Sequence, residues 1–577
     1  MPTLASELRN KLERVVIEAR DAAEVGARGA LEALAVHHHE PYPHMNPAQR
    51  ELRNHLRARA RQLGDLQEKS GRLAINHLVG DCAYEHWHRM LFARFLAENG
   101  LLIEPKENMA ISLAEAEELA KDDGMDVWVF ASRCAQRMLP QIFRPDDPLL
   151  QVFFATEHML KLEKLLASLP QALFTASDAL GWVYQFWQSK KKDEVNRSEV
   201  KIGADELPAV TQLFTEPYMV EFLLHNTLGA WWAGKKLVEN SAWAQEAQSE
   251  EELRRKATLP GVNWNYLRFV RSSPSPSKGE GRGEGDGPWR PAAGTFDGWP
   301  KTAEELKVLD PCCGSGHFLV AALHHLVPIR MAEGGLSAAA AVDAVFRDNL
   351  HGLEIDERCC QIAAFALAFA AWTYPEAGGY RPLPDLHIAC TGIGPQSTAE
   401  EWVKLAEQSG IPMPTVGREA IKNGLLNLHR LFSQAPMLGS LINPAELSSD
   451  LFAAGYKTIQ PYLAAILSAE KADDETRERA IAAAGMVKAA NLLAGEYTLV
   501  TTNVPARGAL LCGRAGVRPR WRELAGVPGS DSDDCFDSRA GRGGCQGARG
   551  PVGGAALPGD HRASGRRSAG RSADEAK

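Results

Sequence analysis

Residues 306–329, LKVLDPCCGSGHFLVAALHHLVPI, constrain the fold more tightly than any other stretch of the chain. The run Leu306–Asp310 reads as a short buried strand. Gly314 and Gly316 break it, and HFLVAALHHLVPI resumes as a helix. A strand that turns through glycines directly into a helix is the opening unit of a parallel α/β sheet. The turn falls at the carboxyl end of the strand, where open α/β sheets bind ligands. Asp310 at the tip offers a carboxylate to an amine or hydroxyl, and the two glycines let the backbone approach a ligand without a Cβ in the way. The spacing is neither the G-x-G-x-x-G of dinucleotide enzymes nor a Walker A loop, because no Gly-Lys-Ser/Thr follows.

Three further strand signals follow, at Leu350–Asp356, Asp385–Cys390 and Glu496–Asn503, with an apolar helix at Cys359–Trp372 after the second. Strands separated by helices predict an α/β fold with a doubly wound parallel sheet of about four strands. Glu354 closes the second strand, where an acidic residue accepts hydrogen bonds from both hydroxyls of a ribose. A helical stretch at about 399–490 reads as an insertion between the third and fourth strands. Residues 272–288 are a low-complexity Ser/Pro/Gly/Glu loop inserted within the same domain. Residues 1–205 form a helical N-terminal region, and 206–505 form the core. On the helix expected over 49–65, Arg50, Arg53, Arg57, Arg59 and Arg61 mark either a solvated face or a set of phosphate contacts. His86 and His88, two apart on a helix, point to different faces and read as packing or surface residues.

Hydrophobic content of 45% and a net charge of −9 describe an ordinary globular chain. They argue against wholesale polyanion binding and leave room for a local basic groove. The N-terminal residues lack a signal-peptide pattern, and no apolar run reaches the roughly 18 residues of a membrane helix. A cytoplasmic protein with no membrane partner is expected. The ten cysteines include the adjacent pairs Cys312-Cys313 and Cys359-Cys360. Neither pair has metal-ligand spacing, so reduced buried thiols and no metal are expected.

DPCCGSGHF, then GLEID, then a strand ending in Asn503-Val504-Pro505, resemble the class I S-adenosyl-L-methionine-dependent methyltransferases, and more narrowly the N6-adenine DNA methyltransferases. YEHWHRMLFARFLAENGLL, LGWVYQFWQSKKKDEV and QLFTEPYMVEFLLHNTLGAWW are similar to the large methyltransferase of BREX phage-defence systems, the PglX type, over about residues 80–505. Type IIG and type I restriction-modification methylases share the core motifs. The resemblance implies S-adenosyl-L-methionine as cofactor, held by Thr215, Asp310, Gly314, Gly316 and Glu354, with Ile355 packed on its adenine. It implies double-stranded DNA with a flipped adenine as substrate, and other proteins of a defence system as partners. Asn503 and Pro505 would accept hydrogen bonds from the exocyclic amine of that adenine. Val504 stands where the family has a first proline, Glu216 separates Thr215 from Pro217, and Ala506 stands where the family has a ring that stacks on the base.

Gly, Ala, Arg and Pro supply more than half of residues 506–577, and Ile, Tyr, Asn, Met and Thr are absent there. This segment reads as a disordered tail, and its codon bias as translation out of frame after Pro505; the rival is a basic arm that binds nucleic acid. The expected function is therefore site-specific adenine-N6 methylation of DNA in phage defence or restriction-modification, impaired in this chain. The alternatives are an inactive cofactor- or partner-binding remnant and a methyltransferase acting on RNA or a protein amide.

Overall fold

The computed structural model describes residues 4–140, 142–143, 147–176, 178–198, 215–272, 287–395, 398–408, 411–412, 414, 417–444, 454–469 and 485–503. All of them belong to the unit Met1–Leu524. Pro505, the expected tail at 506–577 and most of the low-complexity loop lie outside the described residues.

Helices make up the N-terminal region: α1 (Ser6–Ala33), α2 (Pro47–Gln62), α3 (Asn76–Glu98), shorter helices at Leu113–Asp122, Val127–Gln136 and Thr156–Ala167, and α4 (Ala179–Ser198). The start of α2 is written in its sequence. Asn46 and Gln49 form a reciprocal capping box, and Pro47 occupies the first turn, where its missing N–H costs nothing. In α3, apolar residues lie on all sides and nearly the whole helix is buried.

Neither expectation for the α2 arginines describes Arg53 and Arg57, which are buried. Arg53 donates to the carbonyls of Ala35 and His39 at 2.9 and 2.8 Å, and Arg57 to those of Val36 and Gly71 at 2.6 and 3.2 Å. Arg59 pairs with Asp81 at 2.9 Å and Asp147 at 3.4 Å. The arginines thus tie down the chain that follows α1 by satisfying its backbone carbonyls. His86 stacks on Phe154, and His88 is buried against Tyr84; both are packing residues.

After α5 (Pro217–Leu224), strands β1 (Phe269–Arg271) and β2 (Trp289–Pro291) pair antiparallel on either side of the low-complexity loop. The main sheet follows: β3 (Val308–Asp310), α6 (His317–Gly334), α7 (Ala338–Asp348), β4 (Leu350–Glu354), α8 (Glu357–Trp372), β5 (His387–Cys390) and β6 (Leu499–Val500). Its strands are all parallel in the order β5-β4-β3-β6. Val308 sits beside Leu350 and Leu499, and Glu354 beside Cys390.

Both faces of the sheet are covered, which is why β4 is buried along its whole length. Val308, Leu350 and Ile388 pack into one large cluster that also holds α6, α8 and the N-terminal helices, beginning at Leu4. Leu309, Leu353 and Ala389 face the other way, against Ala489 and Leu492 of a helix at 485–493. The stretch between β5 and β6 is helical, with α9 (Ala399–Gln408), α10 (Arg418–Phe432) and α11 (Tyr456–Ala469), and has a small core of its own around Trp402, Leu425, Leu428 and Ile459.

Candidate active site

The strand order reverses between β3 and β6: the chain steps outward through β4 and β5, then returns to pair β6 with the free side of β3. In open parallel sheets a ligand crevice opens at such a switch point, beyond the carboxyl ends of the strands. Asp310, Glu354 and Asn503 lie at or just beyond those ends.

The loop after β3 is stitched to β4. Asp310 is buried and accepts the Cys312 N–H at 3.1 Å. The Cys313 N–H reaches the Leu353 carbonyl at 2.9 Å, and the Gly316 N–H returns to the Cys313 carbonyl at 2.8 Å. The Gly314 N–H donates to Glu354 Oε2 at 2.8 Å, so the two acidic loops share a direct bond. Glu354 Oε1 accepts from the N–H groups of Ile355 at 2.8 Å and Asp356 at 3.1 Å.

Glycines make this approach possible. Gly314 and Gly316 have φ of 52° and 82°, the left-handed region. A Cβ on Gly316 would lie 3.1 Å from Ala363 Cα in α8, so this glycine also lets α6 start against its neighbour. A Cβ on Gly352 in β4 would meet Leu319 Cδ1 at 2.8 Å and Cys313 Sγ at 3.2 Å. Gly352 was not singled out from sequence; a glycine inside an otherwise apolar strand is the signal that marks it.

Burial pushes both carboxyl groups up. Asp310 rises to about 7, chiefly through burial and further through the Glu354 charge, while the Thr502 hydroxyl and the Cys312 N–H draw it part of the way back. Glu354 also rises to about 7 through burial and the nearby Asp356 charge, against the pull of the backbone N–H groups that bind it. The Cys312 thiol between them is pushed up to about 12 and stays protonated.

Asn503 lies beyond β6, and its side-chain Nδ2 donates to the Thr215 hydroxyl at 3.1 Å. Two residues 288 positions apart in the chain therefore meet. Its neighbour Thr502 is near enough to Asp310 to favour its charged form, but the buried Thr502 hydroxyl has no hydrogen-bond partner among the described residues. Ile355 packs against Gly439, whose own φ is 51°, and Cys312 Sγ lies 3.7 Å from Ser440 Oγ. The turn Gly439–Leu441, inside the helical insertion, thus touches both acidic loops. Nothing in the sequence singled it out. Pro505 lies outside the described residues. Among the described residues no three His, Cys, Asp or Glu side chains gather in a way that could hold a metal, and no helix is long and apolar enough to cross a membrane.

Known proteins resemble parts of this chain. Residues 298–377, from before β3 through α8, match the family model of the MmeI DNA-methyltransferase domain. The chain is 25% identical over 355 residues to the adenine-specific methyltransferase PglX of Lacticaseibacillus casei, covering 55% of this chain and 27% of that protein. It is 26% identical over 362 residues to the adenine-specific methyltransferase BrxX of Escherichia coli O9:H4, covering 60% of this chain and 26% of that protein. A PglX of Streptomyces coelicolor is 39% identical over 83 residues, 14% of this chain and 6% of the relative. The first two matches span about a quarter of the length of those relatives.

Proposed function

We propose that this chain, a PglX-type relative of the adenine-specific methyltransferases, has a class I doubly wound methyltransferase core at about 206–505, built onto the helical region 1–205, and binds S-adenosyl-L-methionine at the β3–β6 switch point. The observation that carries this reading is the buried pair Asp310 and Glu354, facing each other across the glycine loop with their ionised forms disfavoured. A ligand bearing hydroxyl donors and positive charge relieves both groups. Glu354 Oε2 accepts one backbone N–H, which leaves it room for a hydroxyl. Glu354 would bind the ribose, Gly314 and Gly316 would admit the chain of the ligand to the backbone, Ile355 would pack on its adenine, and Asp310 would face its amine.

When bound, the cofactor supplies an activated methyl group on a sulfonium sulfur. The residues of this chain do the positioning. With its Nδ2 turned to Thr215, Asn503 is left with Oδ1 as a free-facing acceptor for an exocyclic amine. An acceptor there orients the amine nitrogen for in-line attack, and such positioning accounts for much of the catalysis of group transfer. A flipped adenine of double-stranded DNA, in the cytoplasm and within a phage-defence or restriction system, is the substrate this reading assigns; Pro505 would supply the second acceptor.

Calorimetric titration of the full chain with S-adenosylhomocysteine tests the cofactor half. Saturable heat is expected, with affinity lowered about tenfold or more by Glu354→Ala, and no heat from the unaltered chain rejects it. Ala506 favours a second reading, a partner-binding remnant, because no ring follows Pro505 to stack on a base. Incubation with tritiated S-adenosyl-L-methionine and unmodified phage DNA separates the two. Label on adenine N6 supports the enzyme, whereas binding without label supports the remnant.

A further inference from the structure

The loop that carries Glu354 is anchored from outside the sheet. Asp356 gives its N–H to Glu354 Oε1 at 3.1 Å, and its own Oδ1 accepts the Arg358 N–H at 3.0 Å, capping α8. Asp356 Oδ2 accepts from the hydroxyl of Tyr184 on α4, and that hydroxyl accepts from Gln188 Nε2 at 2.7 Å. Arg358 lies 3.7 Å from Asp81 on α3 and over the Tyr84 ring, and the Tyr84 hydroxyl donates to its carbonyl at 3.2 Å. Tyr184, Gln188, Tyr84 and Asp81 are buried. Burial also holds both tyrosine hydroxyls well above the ordinary phenol range, so they remain donors.

We propose that Tyr184 is a positioning residue for the ligand-binding carboxylate: its hydroxyl fixes Asp356, and the Asp356 N–H fixes Glu354 with Oε2 turned to the glycine loop. This rests on the assignment of Glu354 to the ribose. The helical region then supplies the second layer of the cofactor site, as preorganised sites require. Tyr184→Phe removes the hydroxyl and keeps the ring, so packing against Tyr84 is retained.

The test titrates the full 577-residue chain with S-adenosylhomocysteine and with its 2′,3′-dideoxyribose counterpart. For Tyr184→Phe, affinity for the hydroxyl-bearing ligand falls about tenfold, the scale of one lost hydrogen bond to a charged group, and affinity for the dideoxy ligand is unchanged. Equal loss for both ligands, or no loss for either, overturns the positioning role. Asp356→Ala gives the same selective loss if Tyr184→Phe does not fold, and an unselective loss there overturns it equally. The underlying assignment fails separately. If Glu354→Ala still discriminates between the ligands, or the unaltered chain binds neither, the ribose reading falls. If Glu354→Ala loses discrimination and Tyr184→Phe keeps it, only the positioning role falls.

Discussion

Asp310 and Glu354 set opposite demands on the empty and the occupied site. Each has a pKa near 7 in the folded chain, above the 3.8 and 4.5 of the free groups. Between those values the folded protein holds protons that the unfolded chain has released, so stability falls as pH rises through that window. Thermal melts of the ligand-free chain should therefore show a lower midpoint at pH 8 than at pH 6. Ligand binding runs the other way, because a protonated Glu354 has no acceptor site to spare for a ribose hydroxyl beside its three backbone donors. Affinity for S-adenosylhomocysteine should rise from pH 6 to pH 8, and a flat calorimetric profile would remove Glu354 from the contact. The acids and glycines were legible in the sequence because strand, turn and helix lie within a few residues of one another. The partner of Asn503 was not, since nothing local connects it to Thr215, 288 residues away.

The loops, more than the strands, set the shape of the site at the scale of elements. Gly316 and Gly335 cap the two ends of α6, both left-handed, at φ 82° and 60°. A Cβ on Gly335 would meet open space, whereas one on Gly316 would press on α8 at 3.1 Å. Gly335→Ala should cost about 1 kcal/mol of backbone strain, and Gly316→Val about 2–4 kcal/mol, because strain and crowding add. Denaturant midpoints compare the two, and equal costs would show that the contact with α8 carries no weight. The insertion makes a second demand. A Cβ on Gly439 would lie 3.1 Å from Ile355 Cδ1, so Gly439→Val should weaken S-adenosylhomocysteine binding by displacing Ile355, with the small core around Trp402 intact by tryptophan fluorescence. The strands of the main sheet were readable as short apolar runs, two of which, β3 and β4, end in acids. Their spatial order was not, because every strand is apolar on both sides and no pattern distinguishes the neighbour on the left from the one on the right. The β1–β2 hairpin was hidden for a different reason: each strand is three residues long and residues 272–288 separate them. The buried Arg53 and Arg57 were hidden because a helical pattern counts arginine as polar, and only the fold reveals the carbonyls that need it.

Across the whole molecule, the helical region and the sheet share one hydrophobic interior. Phe92 of α3 stacks on Phe365 of α8 at 4.4 Å, and Phe95 meets Phe369 edge-on at 6.2 Å. Arg358, at the start of the same helix, is enclosed by Asp81 and Tyr84 and pushed above its ordinary range mainly by the neighbouring Asp356 and Asp81 charges, against the cost of burial. Composition and periodicity suggested a boundary near 205, since the helical pattern ends there and the α/β alternation begins later. A change of secondary structure marks a domain boundary only if each side can close its own core. Here removing 1–205 would strip α3 and α4 from α8, expose the face bearing Phe365 and Phe369, and leave Asp356 and Arg358 without Tyr184 and Asp81. Arg358 would keep the Asp356 charge but lose Asp81, and the apolar faces that α3 and α4 place against α8 would go with it. A chain beginning at 206 should therefore be insoluble, or expanded with a surface that binds an apolar dye, and should give no heat with S-adenosylhomocysteine. A cooperative thermal transition and ligand affinity within threefold of the full chain would show instead that the sheet carries its own core and that the shared interior is a docking surface between two independent domains.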